Sequence, residues 1–399
     1  MGLNDTPSAN RIHIGFFGRR NAGKSSVVNA VTNQDIAVVS DRKGTTTDPV
    51  SKAMEILPLG PVVIIDTPGY DDDDKELGTE RIRQAKKILN KSDIAVLVVD
   101  ITEGQNEYDH ELISVFSEKN IPHIVVYNKI DLVQIHGSDE GAMYISAMTG
   151  QGINELKERL GEIAPRESGR RLVRDLLRPR ELAVLVTPID ESAPQGRIIL
   201  PQVQMIRDIL DADAASIVTK ETELEAVLKM LAKKPAMVIT DSQIFKEVAQ
   251  LVPSDIPLTS FSILMARYKG FLDVAVEGVV ALRNLKEGDT VLIAEGCTHH
   301  RQCNDIGTVK IPNWLKDFTG NKVDIKTCSG TGFPDDLSKY KVVIHCGGCM
   351  LNERGVQYRM KCAMDQGIPF TNYGLTIAYI QGILTRSLQP FPHLQVQVR

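Results

Sequence analysis

Cysteine is absent from this 399-residue chain until Cys297, and all six cysteines lie between there and Cys362. An extracellular disulfide framework does not leave most of a multidomain chain empty, so that class is excluded, and clustered thiols in a reducing compartment read as metal or redox chemistry. A basic excess is also missing. The formal net charge is −5, which offers no broad positive field for nucleic acid. No apolar run approaches the ~20 residues that span a bilayer. The N-terminus, MGLNDTPSANR, lacks the charged start and apolar middle of a signal peptide. Gly2 and Thr6 match a loose myristoylation pattern, but Asp5 and the lack of a basic cluster argue for chance. No internal repeat or low-complexity tract occurs, and the one charge run is DDDDKE at 71–76. A cytoplasmic protein with neither nucleic-acid nor membrane partners is expected.

The chain is too long for one ordinary core, and two or three domains are expected. Residues 11–165 alternate strand-like runs (RIHIGFFG, VVIIDTPG, IAVLVVD, HIVVYNKID) with helical segments such as KSSVVNAVTN. That is the βαβ rhythm of a mostly parallel sheet. APRESGRRLVRDLLRPRE, 164–181, reads as a charge-rich linker. The rhythm restarts at LAVLVTPID and yields a second α/β unit without Cys, His or a phosphate loop, expected to be a packing or oligomerisation module. A third α/β unit follows, in which DTVLIAEG and YKVVIHCGG each run into a ligand cluster. The expected division is 1–170, 171–263 and 264–399.

GRRNAGKSS, from Gly18 to Ser26, fits G-x-x-x-x-G-K-[ST] between a strand and a helix. Backbone N–H groups from Gly18, Asn21, Ala22 and Gly23 can wrap phosphates, Lys24 supplies a charge to the β- and γ-phosphates, and the Ser25 hydroxyl suits Mg²⁺, with Ser26 beside it. Four further elements follow in order. Thr45 and Thr46 in GTTTD offer a hydroxyl to the metal and γ-phosphate; Asp66 in DTPG can reach Mg²⁺, and Gly69 can sense the γ-phosphate. Asn128, Lys129 and Asp131 of NKID select guanine, because a carboxylate accepts from guanine N1 and N2 where adenine offers no match. Ser146 and Ala147 close the base pocket. Catalytic roles fall to Lys24, Thr46 and Gly69.

This set resembles the Era/TrmE-like group of translation-factor-class GTPases. The resemblance implies that Asn21 helps hold a K⁺ ion in place of an arginine finger, so hydrolysis should be K⁺-stimulated. Tyr70 stands where Ras-like proteins place a catalytic Gln, which implies a slow unassisted step.

Cys297-Thr298-His299 ends one strand and His345-Cys346-Gly347-Gly348-Cys349 ends another. Sites in open α/β sheets form outside the carboxyl ends of strands, so the two groups are expected to converge. On spacing alone, a structural zinc site and an iron–sulfur cluster with three Cys and one exchangeable ligand stand near even. Cys303 is a spare at most, and Cys328 and Cys362 read as ordinary small residues. A GTPase domain, a featureless middle domain, then C-x-H, 45 residues and H-C-x-x-C together resemble the FeFe-hydrogenase maturation GTPase family over essentially the whole chain. The resemblance implies a 4Fe–4S cluster on Cys297, Cys346 and Cys349, with His299 or His345 as candidates for a variable fourth position. It also implies a scaffold, homodimeric or higher, that receives a di-iron precursor from radical-SAM enzymes and delivers it to apo FeFe-hydrogenase. The alternative is an RNA-modification or ribosome-assembly GTPase with structural zinc.

Overall fold

The computed structural model describes residues 10–32, 50–67, 85–86, 88–134, 141–165, 171–189, 198–296, 305–320, 322–330 and 332–395. The chain forms two compact units, Met1–Ser168 and Gly169–Arg399.

The first unit holds one six-stranded sheet. Its strands are β1 (Ile12–Phe17), β2 (Val50–Ile56), β3 (Gly60–Asp66), β4 (Ile94–Asp100), β5 (His123–Asn128) and β6 (Met143–Tyr144). The order is β2-β3-β1-β4-β5-β6, parallel except for the β2–β3 pair. All seven residues of β4 are buried. Its side chains divide by the two-residue period of a strand: Ile94, Val96 and Val98 join one apolar cluster, Ala95, Leu97 and Val99 another. A sheet covered on both faces therefore needs a continuous apolar run rather than alternation. Each fully buried aliphatic side chain contributes roughly 1.5–3 kcal/mol. Parallel register aligns the carboxyl ends, with Phe16 opposite Asp66 and Asp100 opposite Asn128. Strand order reverses around β1, and in open α/β sheets ligands bind outside the carboxyl ends of the strands at such a reversal.

The second unit holds two four-stranded parallel sheets. β7 (Leu182–Val186), β8 (Ala215–Thr219), β9 (Met237–Thr240) and β10 (Leu258–Ser260) assemble in the order β10-β9-β7-β8. β11 (Thr290–Glu295), β12 (Asp324–Ser329), β13 (Val342–His345) and β14 (Phe370–Asn372) assemble as β12-β11-β13-β14. With the nucleotide-type sheet this makes three α/β domains, the latter two sharing one continuous apolar cluster. The expected division at 263/264 falls inside the helix Phe261–Tyr268, whose Phe261, Ile263, Leu264 and Met265 belong to that shared core.

The stretch read as a linker is partly something else. Leu172, Val173 and Leu177 are buried in the second unit's core. Asp208 Oδ2 accepts from Val173 N at 2.7 Å and Arg174 N at 2.8 Å. Its charge density masked three apolar anchors. Among the described residues no helix is long and apolar enough to cross a membrane.

Candidate functional site

The phosphate loop runs from the end of β1 to the helix Lys24–Thr32. Asn21 has φ 63° and Gly23 φ 87°, and such left-handed steps let successive N–H groups face one anion. A Cβ at Gly23 would lie 2.3 Å from Asn128 Nδ2, so the guanine loop could not approach a larger residue there. Lys24 is 6% exposed, and its Nζ donates to Gly18 O at 2.8 Å and Arg19 O at 2.9 Å. A buried ammonium must be hydrogen-bonded, and these two carbonyls hold it across the loop. Ser25 and Ser26 occupy the first turn of the same helix.

The base-side elements are sewn together by side chains. Asn128 Nδ2 donates to Ala22 O at 3.1 Å, and its Oδ1 accepts from Ala147 N at 3.0 Å. One buried amide thus ties the phosphate loop, the NKID turn and the Ser-Ala loop. Asp131 is exposed, and Ser146 Oγ donates to its Oδ1 at 2.5 Å. Ser146 Oγ also accepts from Thr149 N at 3.1 Å. A carboxylate held this way at the surface can accept from guanine. Thr45, Thr46 and Gly69 lie outside the described residues; Asp66 closes β3, and its side chain is also outside them.

Two residues not singled out from sequence complete this site. Asp100, the last residue of β4 and 5% exposed, receives Lys129 Nζ at 2.5 Å, Thr102 N at 2.9 Å and Thr102 Oγ1 at 2.7 Å. Burial pushes its carboxyl up, but the bonds from Lys129 and Thr102 outweigh that and hold it below the usual carboxylate range. Its place at the carboxyl end of a buried strand was the available signal. Arg19, inside the phosphate loop, turns away from the loop. It pairs with Glu103 at 3.0 Å and Asp109 at 3.5 Å and donates to Gly104 O.

The cysteine site begins at the ends of β11 and β13. Cys346 N donates to Ala294 O at 2.9 Å, and Cys346 Sγ accepts from Gly296 N at 3.1 Å and Gly348 N at 3.4 Å. Two N–H groups on one sulfur suit a thiolate. Gly348 needs φ 66°, and a Cβ there would lie 2.9 Å from Val356. Burial pushes the Cys346 thiol up, while the Gly348 and Gly296 N–H groups and Arg359 pull the other way. Burial, then the neighbouring Cys346, push Cys349 up to about 11, with Lys269 opposing. Without metal both are therefore neutral thiols near pH 7, and a bound metal must displace their protons.

His345 is fully buried. Its Nδ1 lies 2.7 Å from Cys346 O and its Nε2 lies 3.0 Å from Arg359 Nη1. Burial first, then the Arg359 charge, lower its pKa to about 3. In this structure both ring nitrogens of His345, the expected candidate for an exchangeable ligand, are occupied by Cys346 O and Arg359. Cys297, His299 and Cys303 lie outside the described residues, and among the described residues no three His, Cys, Asp or Glu side chains converge to hold a metal. Gly296, next to Cys297 in sequence, is nevertheless bonded to Cys346, and the sulfur's donor set fits either zinc or an iron–sulfur cluster. Cys328 and Cys362 pack, half-buried, against the apolar core.

Comparison with known proteins agrees with this layout. Residues 13–129 match the family described as 50S ribosome-binding GTPase, 172–270 the hydrogen maturase F dimerization domain, and 273–390 the hydrogen maturase F tetramerization domain. The tRNA modification GTPase MnmE of Legionella pneumophila (strain Corby) is 40% identical over 149 residues, which are 37% of this chain and 33% of that protein. GTPase Era of Carboxydothermus hydrogenoformans is 31% identical over 164 residues, 38% of this chain and 55% of that one. A solved structure of a probable GTP-binding protein, engB, is 26% identical and covers 38% of this chain and 97% of its own, with a TM-score of 0.31. The chain thus spans about a third to a half of the length of the MnmE proteins it matches. Sheet, phosphate loop and guanine loop define a P-loop GTPase. The two hydrogen maturase F models together match more than half of the chain, and the chain belongs to that hydrogenase-maturation GTPase family.

Proposed function

We propose that this protein is a Mg²⁺-dependent, K⁺-stimulated GTPase scaffold that carries a 4Fe–4S cluster and delivers a di-iron subcluster to apo FeFe-hydrogenase. It works as a homo-oligomer in the cytoplasm and takes its cargo from radical-SAM maturation enzymes. The division of labour is 1–170 for GTP, 171–263 for dimerisation and 264–399 for the cluster. The observation that supports this reading best is a GTPase fold joined in one chain to both hydrogen maturase F domains.

In the nucleotide site, the loop N–H groups from Gly18 to Ser26 and Lys24 bind the phosphates, Ser25 with Thr46 and Asp66 takes Mg²⁺, and Asn21 takes K⁺. Asp131 accepts from the guanine edge, while Ser146 and Asn128 hold the base loops to the phosphate loop. Contacts from Thr45, Thr46 and Gly69 to the γ-phosphate vanish on hydrolysis, which gates partner exchange. Cys297, Cys346 and Cys349 hold the cluster, which supplies soft iron coordination for the cargo, and His299 stays a candidate for the fourth position.

The alternative, an RNA-modification or ribosome-assembly GTPase with a structural zinc site, draws on the tRNA modification GTPase MnmE, whose similarity covers 37–51% of this chain. Anaerobic purification followed by iron, sulfide and zinc analysis tests the reading. About one zinc per chain without sulfide would reject the cluster, and failure to activate apo-hydrogenase with a loaded protein would reject the delivery role.

A further inference from the structure

Arg359 is 5% exposed and lies on the helix Glu353–Asp365, which starts four residues after Cys349. Its Nη1 donates to Glu295 O at 3.0 Å and to His345 Nε2 at 3.0 Å, and its Nη2 donates to Gly330 O. The guanidinium also lies over the Phe333 ring, 5.2 Å from its centroid. Its acceptors stand at the last residue of β11, the last residue of β13 and the residue after β12. Glu295 precedes Cys297 by two residues, and His345 directly precedes Cys346.

The imidazole has the tautomer that this arrangement requires. Arg359 can only donate, so Nε2 accepts, and Nδ1–H donates to Cys346 O. The path runs without a break from Glu295 O through the guanidinium and imidazole to the Cys346 backbone. Gly296 N and Cys346 Sγ close it into a ring of contacts. An ammonium could not replace the planar fork, which sets several donors at fixed angles. On the other flank, Lys269 Nζ donates to Leu351 O at 2.8 Å, and Gln357 Nε2 holds Lys269 O and Gly270 O at 2.7 and 2.9 Å. Two buried cations therefore bracket the cysteine loop.

We propose that Arg359 is a positioning residue of the cysteine site: it locks the ends of β11 and β13 together through Glu295 O and His345, and sets a fixed positive charge beside an anionic iron–sulfur group. This rests on the cluster reading given above. His345 then acts through Arg359, as its acceptor, and not as a ligand. Thiolate-bound clusters are tuned by hydrogen bonds and nearby charge, and residues that orient ligands matter nearly as much as the ligands.

Wild type, Arg359→Met and Arg359→Lys are reconstituted anaerobically with iron and sulfide, and retention against a chelator, the reduced-cluster EPR signal and the midpoint potential are measured. Arg359→Met should hold iron about 10- to 100-fold more weakly and show a more negative potential. Arg359→Lys should keep more of the potential than of the retention. His345→Gln, which keeps an acceptor for Nη1, should retain iron; loss of iron with a changed EPR signal would make His345 a ligand and overturn the assignment. Circular dichroism and thermal unfolding report whether each variant chain is folded. Where Arg359→Met does not accumulate folded, Arg359→Lys carries the test alone, and wild-type retention in it overturns the fork's role. In metal-free protein, Arg359→Met should speed alkylation of Cys346. Unchanged retention, EPR and alkylation in Arg359→Met would overturn the brace. Wild type without iron and sulfide would instead reject the cluster reading, and the alkylation comparison would still decide the brace.

Discussion

Replacing Asp100 by Asn removes the charge that anchors Lys129 while keeping the shape of the side chain. Three donors converge on this carboxylate, Lys129 Nζ at 2.5 Å and Thr102 through N at 2.9 Å and Oγ1 at 2.7 Å. An amide can satisfy Thr102 but leaves Lys129 facing a neutral group. Hydrogen bonds to charged groups contribute about 1.5–3 kcal/mol. The Lys129 side chain is 31% exposed, so water recovers part of the loss, and roughly 1.5–2 kcal/mol is the working figure. Lys129 sits at φ 70° between Asn128 and the turn that bears Asp131; losing its anchor loosens the guanine loop. The Kd for GDP should therefore rise about 10- to 30-fold, since 1.4 kcal/mol is tenfold. Titration with a fluorescent GDP analogue, with ATP as competitor, measures both affinity and selectivity. Selectivity should survive, because Asp131 and Ser146 are untouched. The folded Asp100 pKa is depressed, so its contribution is present above its unfolded value of about 3.9 and is lost only as pH falls through the folded one. The wild-type to variant ratio should then be flat from pH 6 to 8. A wild-type Kd in Asp100→Asn, or a loss of GTP-over-ATP preference together with affinity, refutes the reasoning.

Asp131→Asn should abolish the preference for GTP over ATP, read from competitive turnover; unchanged GTP turnover means the guanine assignment is wrong. Replacing K⁺ by Na⁺ should slow GTP hydrolysis, and the slowing should disappear in Asn21→Ala; equal rates in the two salts dismiss a K⁺ role for Asn21. The Cys349 thiol is raised to about 11, first by burial and then by Cys346, so its thiolate fraction keeps growing between pH 9 and 11. In metal-free protein its alkylation rate should climb across that interval, where an ordinary thiol of pKa near ~8.5 has levelled off. A plateau by pH 9.5, followed by mass spectrometry of the modified peptide, refutes the buried-thiol account.

Local rules made much of the fold legible. IHIGFF, VVIID, IAVLVVD and HIVVYN carry enough apolar β-formers that a doubly covered parallel sheet is the one economical solution, and the loops at their carboxyl ends follow. β2 was harder, because SKAMEI neither alternates cleanly nor ends in a recognisable motif. It exists as the antiparallel partner of β3, a non-local cause. β12 is similar: DIKTCS is an edge strand with mostly exposed or half-buried positions, so burial leaves little imprint on its composition. The linker reading failed at 171–177 because three apolar residues among many arginines and acids do not set a period, yet each finds a place in the core.

The candidate site divides along the same line. Lys24, Asn128, Asp131 and Ser146 stand in short motifs whose chemistry is local, and spacing alone reveals them. Asp100 and Arg359 belong to no motif and Arg19 fills a variable position of one; each takes its role from a partner, 29, 14 and 85 residues away in turn. His345 shows the converse. Its placement beside Cys346 made it a candidate ligand, and its contact with Arg359 could not be read from sequence, which reports adjacency and not direction. In a strand, neighbouring side chains leave on opposite faces. His345, the last residue of β13, is turned toward the helix Glu353–Asp365, where Arg359 meets it. The same reasoning applies to Asp100: as the last residue of a buried strand, it must turn its carboxylate either into the core or toward a cation, and Lys129 is that cation.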